Sequence, residues 1–125
     1  STKNINEYLY YNDGKLLRQN TSRKDVKFLK YICGGRGIDT KAQHILIEAS
    51  CNDLGLNLVG QEAEIERFDF PMLKFHVEQI QSGISRYSGI VIVSKKLFDK
   101  SDMLRLLSKE KIPIFFALEQ EWFEN

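Results

Sequence analysis

The feature that most constrains the fold is an unbroken run of β-branched residues, 90–93, between Gly89 and Ser94. Such a run favours a strand that is buried on both faces, as in the middle of a parallel sheet. It is far shorter than the roughly 18 apolar residues that a membrane-spanning helix needs. Residues 26–33 and residues 114–118 have the same strand character, and Pro113 precedes the second of these runs. The sequence therefore predicts a sheet with several buried strands.

Helical patterns separate these strands. Residues 40–54 predict a helix that Asp39 or Thr40 caps and Gly55 ends. Pro71 suits the first turn of a second helix that runs to about residue 81, and a short third helix is expected near residues 100–109. The side chains expected to face the core are Ala42, Ile45, Leu46, Ala49 and Leu54 in the first helix, Leu73, Val77 and Ile80 in the second, and Met103, Leu104 and Leu107 in the third.

The order of the elements predicts the fold class. Residues 56–60 read as a short strand, and residues 61–66, which are rich in glutamate, as an acidic loop. The resulting order βαβαβαβ predicts an α/β fold with a mostly parallel sheet and helices on both of its faces.

The N-terminal region has a different pattern. Residues 7–18 place β-prone runs on both sides of Asn12-Asp13-Gly14, which predicts a β-hairpin. Residues 19–25 are polar and read as a linker. The sequence thus divides into an N-terminal hairpin with its linker, residues 1–25, and one α/β domain, residues 26–125.

The charge and the cysteines narrow the function classes. A net charge of +1 argues against a dedicated nucleic-acid surface, although it leaves room for a local basic patch. Cys33 and Cys51 are far apart and have no neighbouring His or Cys at metal-ligand spacing, so we expect two buried free thiols and no metal or cofactor. Free thiols, with no apparent signal peptide or membrane span, favour a cytoplasmic location.

Five short segments resemble the catalytic domain of the serine recombinases, the resolvases and invertases. The segment 37–43, Gly-Ile-Asp-Thr-Lys-Ala-Gln, is similar to the Arg-Val-Ser-Thr-x-x-Gln signature of that family. The segment 69–73, Asp-Phe-Pro-Met-Leu, resembles the family's Asp-Arg-Pro-x-Leu helix start. Three further resemblances follow the family's order: residues 54–59 around its second strand, residues 88–99 around its Asp-Arg-Leu-x-Arg motif, and residues 112–119 at its next strand. Together they cover roughly residues 27–119.

The resemblance implies a nucleophilic serine and several arginines, and this sequence departs at each position. Asp39 stands where the family has the serine that attacks a DNA phosphodiester. The arginine positions hold Gly37, Phe70, Lys96 and Asp99. A register shifted by one residue would keep Arg36 but place Ile38 at the nucleophile, so neither alignment has a serine there. Carboxylates would repel the phosphate that those arginines stabilise. The family also continues into a long helix and a DNA-binding domain, whereas the sequence stops at Asn125. We therefore expect a domain without recombinase chemistry.

This comparison yields three functional hypotheses. The first is a non-catalytic protein-interaction or regulatory module, linked to DNA recombination or another DNA-processing assembly, with a protein partner or self-association. The second is weak DNA or phosphate binding through Arg36, Lys95 and Lys96. The third is an enzyme of another kind, with Asp39 or Ser94 as catalyst.

An alternative for the fold is a TIR-like signalling domain. The segment 84–94 also resembles the central strand of that family, which would want a glutamate on the preceding helix. Glu78 is a loose candidate for that glutamate.

Overall fold

Five strands form one sheet in the computed structural model, which describes residues 26–123. Their order across the sheet is β2-β1-β3-β4-β5; the first four run parallel, and β5 runs antiparallel to β4. The strands are β1 (Lys27–Gly34), β2 (Asn57–Ile65), β3 (Gly89–Ile92), β4 (Ile114–Phe116) and β5 (Glu121–Trp122). The hairpin predicted for residues 7–18 lies outside the described residues.

Three α-helices connect the parallel strands. They are α1 (Thr40–Leu54), α2 (Pro71–Gln81) and α3 (Met103–Ser108), and a 3-10 helix, Lys95–Phe98, precedes α3. The predicted third helix, residues 100–109, is thus shorter than expected. The predicted mostly parallel α/β architecture is confirmed.

Two neighbouring residues on β1 show that helices cover both faces of the sheet. Successive side chains of a strand point to opposite faces. Lys30 lies 3.5 Å from the Glu48 carboxylate on α1. The next residue, Tyr31, donates its hydroxyl hydrogen to Glu64, whose carboxylate also binds the start of α2. α1 therefore lies on one face, and α2 lies on the other.

The predicted acidic loop, residues 61–66, is wrong, because β2 continues to Ile65. Its glutamates alternate with Ala63 and Ile65, so they share one face of the strand. That face meets α2, where Glu62 pairs with His76 and Glu64 accepts hydrogen bonds from backbone N–H groups. These partners allow a glutamate-rich segment to form a regular strand.

The predicted inward stripe of α1 is also largely wrong. Ile45 is 60% exposed and Leu46 is 36% exposed, and Ala49 is exposed as well. The helix instead buries Gln43, Ile47, Ser50 and Cys51. The reason is Gln43, whose side-chain oxygen accepts from the Cys33 N–H at 3.1 Å while its amide donates to the Cys33 and Ile38 carbonyls at 2.8 and 2.9 Å. These bonds fix the rotation of α1 about its axis.

The last strand is β5, which the sequence pattern did not predict. Residues 117–120 form a turn after β4, and Gln120 has a left-handed backbone with a φ of 56°. The turn brings Trp122 beside Phe115, with ring centroids 5.0 Å apart. Burial of Trp122 on the edge of the core accounts for a strand of only two residues.

Candidate functional site

The carboxyl ends of β1 and β3 form the place where α/β proteins of this strand order usually bind ligands. From β1 the chain crosses to β2 on one side, and from β3 it crosses to β4 on the other side. These diverging connections leave a crevice between the carboxyl ends of β1 and β3. The turn after β1 is Gly34-Gly35-Arg36-Gly37, with positive φ angles at Gly35 and Gly37. The segment after β3 holds Ser94 and the 3-10 helix.

Arg36 bridges this crevice with its side chain. Its Nε donates to the Leu97 carbonyl at 2.6 Å, and a terminal guanidinium nitrogen donates to the Asp99 carbonyl. The guanidinium carbon also lies 5.3 Å from the centroid of the Phe70 ring. The residue that the sequence offered as an anion contact therefore ties the turn after β1 to the segment after β3.

Phe70 lies beneath the guanidinium and is only 1% exposed. Its ring packs edge-on against Phe98, with centroids 5.0 Å apart. Its φ of 55° is unusual for a bulky residue. The Glu66 carboxylate fixes this conformation by accepting from the Phe70 N–H at 3.0 Å. Apolar packing thus occupies one of the positions where the resemblance implies an arginine.

Asp39 caps α1, as one of the two sequence alternatives predicted. Its carboxylate accepts from the Ala42 N–H at 3.1 Å, and its carbonyl accepts from the Gln43 N–H at 3.0 Å. A negative charge at this place satisfies the positive end of the helix dipole from within the chain. Gly37, two residues earlier, has open space where a side chain would begin.

The basic residues after β3 have different surroundings. Lys95 pairs with Glu121 and lies 5.8 and 5.9 Å from the centroids of the Phe116 and Phe123 rings. A hydrogen bond from Lys95 lowers the pKa of the Glu121 carboxyl. The side chain of Lys96 is exposed. Of the three proposed anion contacts, Arg36 and Lys95 have partners within the protein.

Ser94 and Glu119 form a polar pair that sequence reasoning missed. Ser94 is fully buried, donates to a Glu119 carboxylate oxygen at 2.6 Å and accepts from the Lys96 N–H at 3.0 Å. The same Glu119 oxygen accepts from the Lys95 N–H at 3.3 Å. These contacts join the ends of β3 and β4, which makes Ser94 a helix cap and a structural link.

A row of glutamates on β2 is the second group that sequence reasoning missed. Glu64 accepts from the N–H groups of Met72 and Leu73 and from the Tyr31 hydroxyl. Burial, followed by the hydrogen bond to Glu64, raises the pKa of Tyr31. The alternation of glutamates with Ala63 and Ile65 was the available signal, since it has the period of a strand.

Glu78, the glutamate that a TIR-like domain would need, lies in the last turn of α2 and is exposed. It lines a groove of about 480 Å³ between α2 and α3. Because α2 runs back from the carboxyl end of the sheet, its last turn lies toward the opposite end. Glu78 is therefore remote from the turn that contains Arg36.

Within residues 26–123, no group of three or more His, Cys, Asp or Glu side chains is placed to hold a metal ion. The same part of the chain contains no helix long and apolar enough to cross a membrane. Cys33 and Cys51 are buried free thiols, as the sequence predicted. Burial raises the pKa of Cys51 to about 12.

Comparisons with known proteins assign the chain to no family. No family model matches the chain, and neither a similar curated protein nor a similar solved structure was found.

Proposed function

We propose that the chain is a non-catalytic domain of the serine-recombinase type that acts as a protein-interaction or regulatory module. The observation that supports the absence of catalysis is the arrangement of Arg36. Two of its five N–H donors bind the Leu97 and Asp99 carbonyls, which holds the guanidinium against the protein where a phosphodiester would need free cations.

The spatial grouping of the resembling segments supports the relationship to the recombinases. Three segments that are distant in sequence meet at one end of the sheet: the turn with Arg36, the helix start with Phe70, and the segment from Leu97 to Asp99. The resemblance assigns catalytic positions to each of these segments. Their convergence is what a shared fold would require.

The local charges support the absence of phosphoryl chemistry. Asp39 is bound to the first turn of α1, and its carboxylate would oppose an incoming phosphate. Developing negative charge on phosphorus needs several fixed donors or cations. Phe70 offers none of these.

The interaction role rests on apolar side chains that the fold leaves on the surface. Ile45 and Leu46 are neighbouring residues of α1, and both are exposed. Exposed apolar groups that form a contiguous patch are typical of contact surfaces.

A covalent trapping experiment tests the chemistry. The protein is incubated with nicked and intact duplex DNA and then denatured, with an active resolvase and its own site as positive control. We expect no adduct from this chain, and none from Asp39→Ser, because Phe70 and Asp99 still deny stabilisation to the phosphate. An adduct that survives denaturation would overturn the proposal.

Fluorescence anisotropy with duplex DNA tests the binding alternative. We expect weak binding without sequence preference at physiological salt, since a net charge of +1 releases few counterions. A tight complex with a steep salt slope would favour the DNA-binding hypothesis. In that case Lys95→Ala combined with Lys96→Ala should flatten the slope by about one unit for each lysine–phosphate interaction that is removed.

A further inference from the structure

The outer surface of α1 carries an apolar stripe of four residues, Ala42, Ile45, Leu46 and Ala49. Their spacing of three and four residues places them in one row along a helix with about 3.6 residues per turn. Ile45 is 60% exposed and Leu46 is 36% exposed. Isolated exposed apolar residues are ordinary, but a continuous row along two turns of a helix is the pattern of a helix-packing surface.

The stripe cannot turn inward, because the opposite side of α1 is fixed by polar contacts. The Gln43 side chain binds the backbone of Cys33 and Ile38. Farther along the helix, Ser50 accepts from the Gln120 side chain at 2.8 Å. A helix that buries a glutamine and a serine while exposing an isoleucine and a leucine presents its apolar row outward in a defined orientation.

We propose that α1 is a self-association surface on which α1 of a second copy of this chain packs antiparallel. The inference rests on the interaction role proposed above, for which it names the partner. A two-fold axis between positions 45 and 46 places Ala42 opposite Ala49 of the second copy and Ile45 opposite its Leu46. Small residues then lie opposite small residues at both ends of the stripe, which allows the two helices to approach closely.

Charges beside the stripe argue for a second copy as the occupant. Lys41 and Glu48 lie on one flank of the stripe, and Glu48 is held in place by Lys30, 3.5 Å away. In the antiparallel pair, this flank faces the same flank of the second copy. Lys41 then lies near Glu48 of the second copy, and Glu48 lies near its Lys41. The flank is complementary to itself, as a two-fold interface requires.

Two unfavourable contacts, related by the two-fold axis, lie at the ends of the stripe. Asp53, in the last turn of α1, comes near the capping Asp39 of the second copy. Both carboxylates are exposed, so solvent screens them. One helix pair is also small for a stable interface. We therefore expect a dimer that dissociates on dilution.

Light scattering coupled to gel filtration, over a concentration series, tests the proposal. The full chain should approach twice the 14.5 kDa of one copy as its concentration rises. Ile45→Asp should hold the mass at that of one copy. Phe75→Asp is the matched control, because Phe75 is 49% exposed on α2, and its dimer should be unchanged. Thermal unfolding of each variant shows that it is folded.

A charge-exchange experiment makes the geometry specific. Lys41→Glu and Glu48→Lys should each weaken the dimer about threefold or more, because each places two pairs of exposed like charges together across the axis. An equimolar mixture of the two variants should associate again, since both contacts are then attractive. Asp53→Lys should tighten the dimer of the otherwise unchanged chain, because both contacts with Asp39 then become attractive.

The inference is overturned if the full chain keeps the mass of one copy at all concentrations, if Ile45→Asp leaves the dimer intact, or if the mixture of charge variants stays monomeric. Because Glu48→Lys faces Lys30 within its own chain, it could fail to fold; in that case Ile45→Asp and Asp53→Lys decide. If the chain is monomeric and forms no DNA adduct, the dimer inference is refuted but the absence of catalysis is not. If a dimeric chain forms a DNA adduct, the proposed function is refuted but the dimer inference is not.

Discussion

The carboxylate of Glu64 on β2 accepts a hydrogen bond from the backbone N–H of Leu73 in the first turn of α2, at 3.1 Å. Its other oxygen accepts from the Met72 N–H at 3.2 Å. The N-terminal N–H groups of a helix have no partner within the helix, so a cap from another element satisfies them. Here a strand supplies the cap, which ties the edge of the sheet to the helix packed on it.

Glu64→Ala should lower the free energy of unfolding by about 2–3 kcal/mol, since it removes a charged cap and leaves the buried Tyr31 hydroxyl without this acceptor. Urea denaturation measures the change. Tyr31→Phe in the same chain should recover part of the loss. Glu78→Ala on the exposed side of α2 is the control and should change stability by less than about 0.5 kcal/mol. Equal losses for both glutamates would contradict the capping role.

Arg36→Ala should destabilise the protein by about 1–3 kcal/mol, because it removes two hydrogen bonds to carbonyls and the packing of the guanidinium on the Phe70 ring. Arg36→Lys should recover little of this, since an ammonium group lacks the planar donor geometry of the guanidinium. Urea denaturation measures both variants. Arg105→Ala, at an exposed position in α3, is the control.

A double-mutant cycle measures the interaction between Arg36 and Phe70. Combining Arg36→Ala with Phe70→Leu should cost less than the sum of the two single changes, because both remove one interaction. Strict additivity would show that the two side chains act independently, contrary to the packing of the guanidinium on the ring.

Cys51 should make stability fall at alkaline pH. Burial raises the pKa of its thiol to about 12, whereas the thiol of the unfolded chain has an ordinary pKa of about 8.5. The folded protein therefore holds the proton to higher pH than the unfolded chain does. The stabilising contribution is complete below the unfolded pKa and is lost as the pH rises toward the folded value.

Urea denaturation at pH values from about 8 to 11 tests this, with Cys51→Ala expected to flatten the decline. Tyr31 contributes in the same direction and remains in the variant, so part of the slope should persist. An unchanged slope in Cys51→Ala would contradict the role of the thiol.

The sequence predicted α2 correctly and placed the α1 stripe on the wrong side for a definable reason. In α2 the apolar positions Leu73, Val77 and Ile80 are buried as expected. In α1 the Gln43 amide competes successfully, since it finds three backbone partners at the end of β1. The spacing of apolar residues does not reveal that a polar side chain such as Gln43 can be buried when all its hydrogen bonds are satisfied. This is why the predicted inward side of α1 was wrong.

The sequence predicted where the candidate site lies better than it predicted what its residues do. The strand and helix order was sufficient to bring Arg36 and Lys96 to the same end of the sheet. The sequence alone left Arg36 open as an anion contact or part of a structural turn. Only the hydrogen bonds to the Leu97 and Asp99 carbonyls distinguish these alternatives, and such bonds depend on segments about sixty residues apart.

Removal of residues 1–20 tests the hairpin predicted for the N-terminal region. Its six large residues, Tyr8, Leu9, Tyr10, Tyr11, Leu16 and Leu17, should contact either the sheet or a second chain, because an isolated hairpin is at best marginally stable in water. We expect the truncated chain to lose thermal stability or mass by light scattering. If neither quantity changes, the N-terminal region makes no such contact.

The cap that Asp39 provides to α1 has a consequence for how such a domain could arise. Aspartate and serine are nearly equivalent as helix N-caps. A change between them at position 39 exchanges a hydroxyl for a carboxylate, and either group can accept the first-turn hydrogen bond from the Ala42 N–H. Exchange of these two residues at position 39 should therefore change the stability of the fold very little. If the proposed relationship to the recombinases holds, a change from serine to aspartate at this position would have kept the first turn of α1 capped.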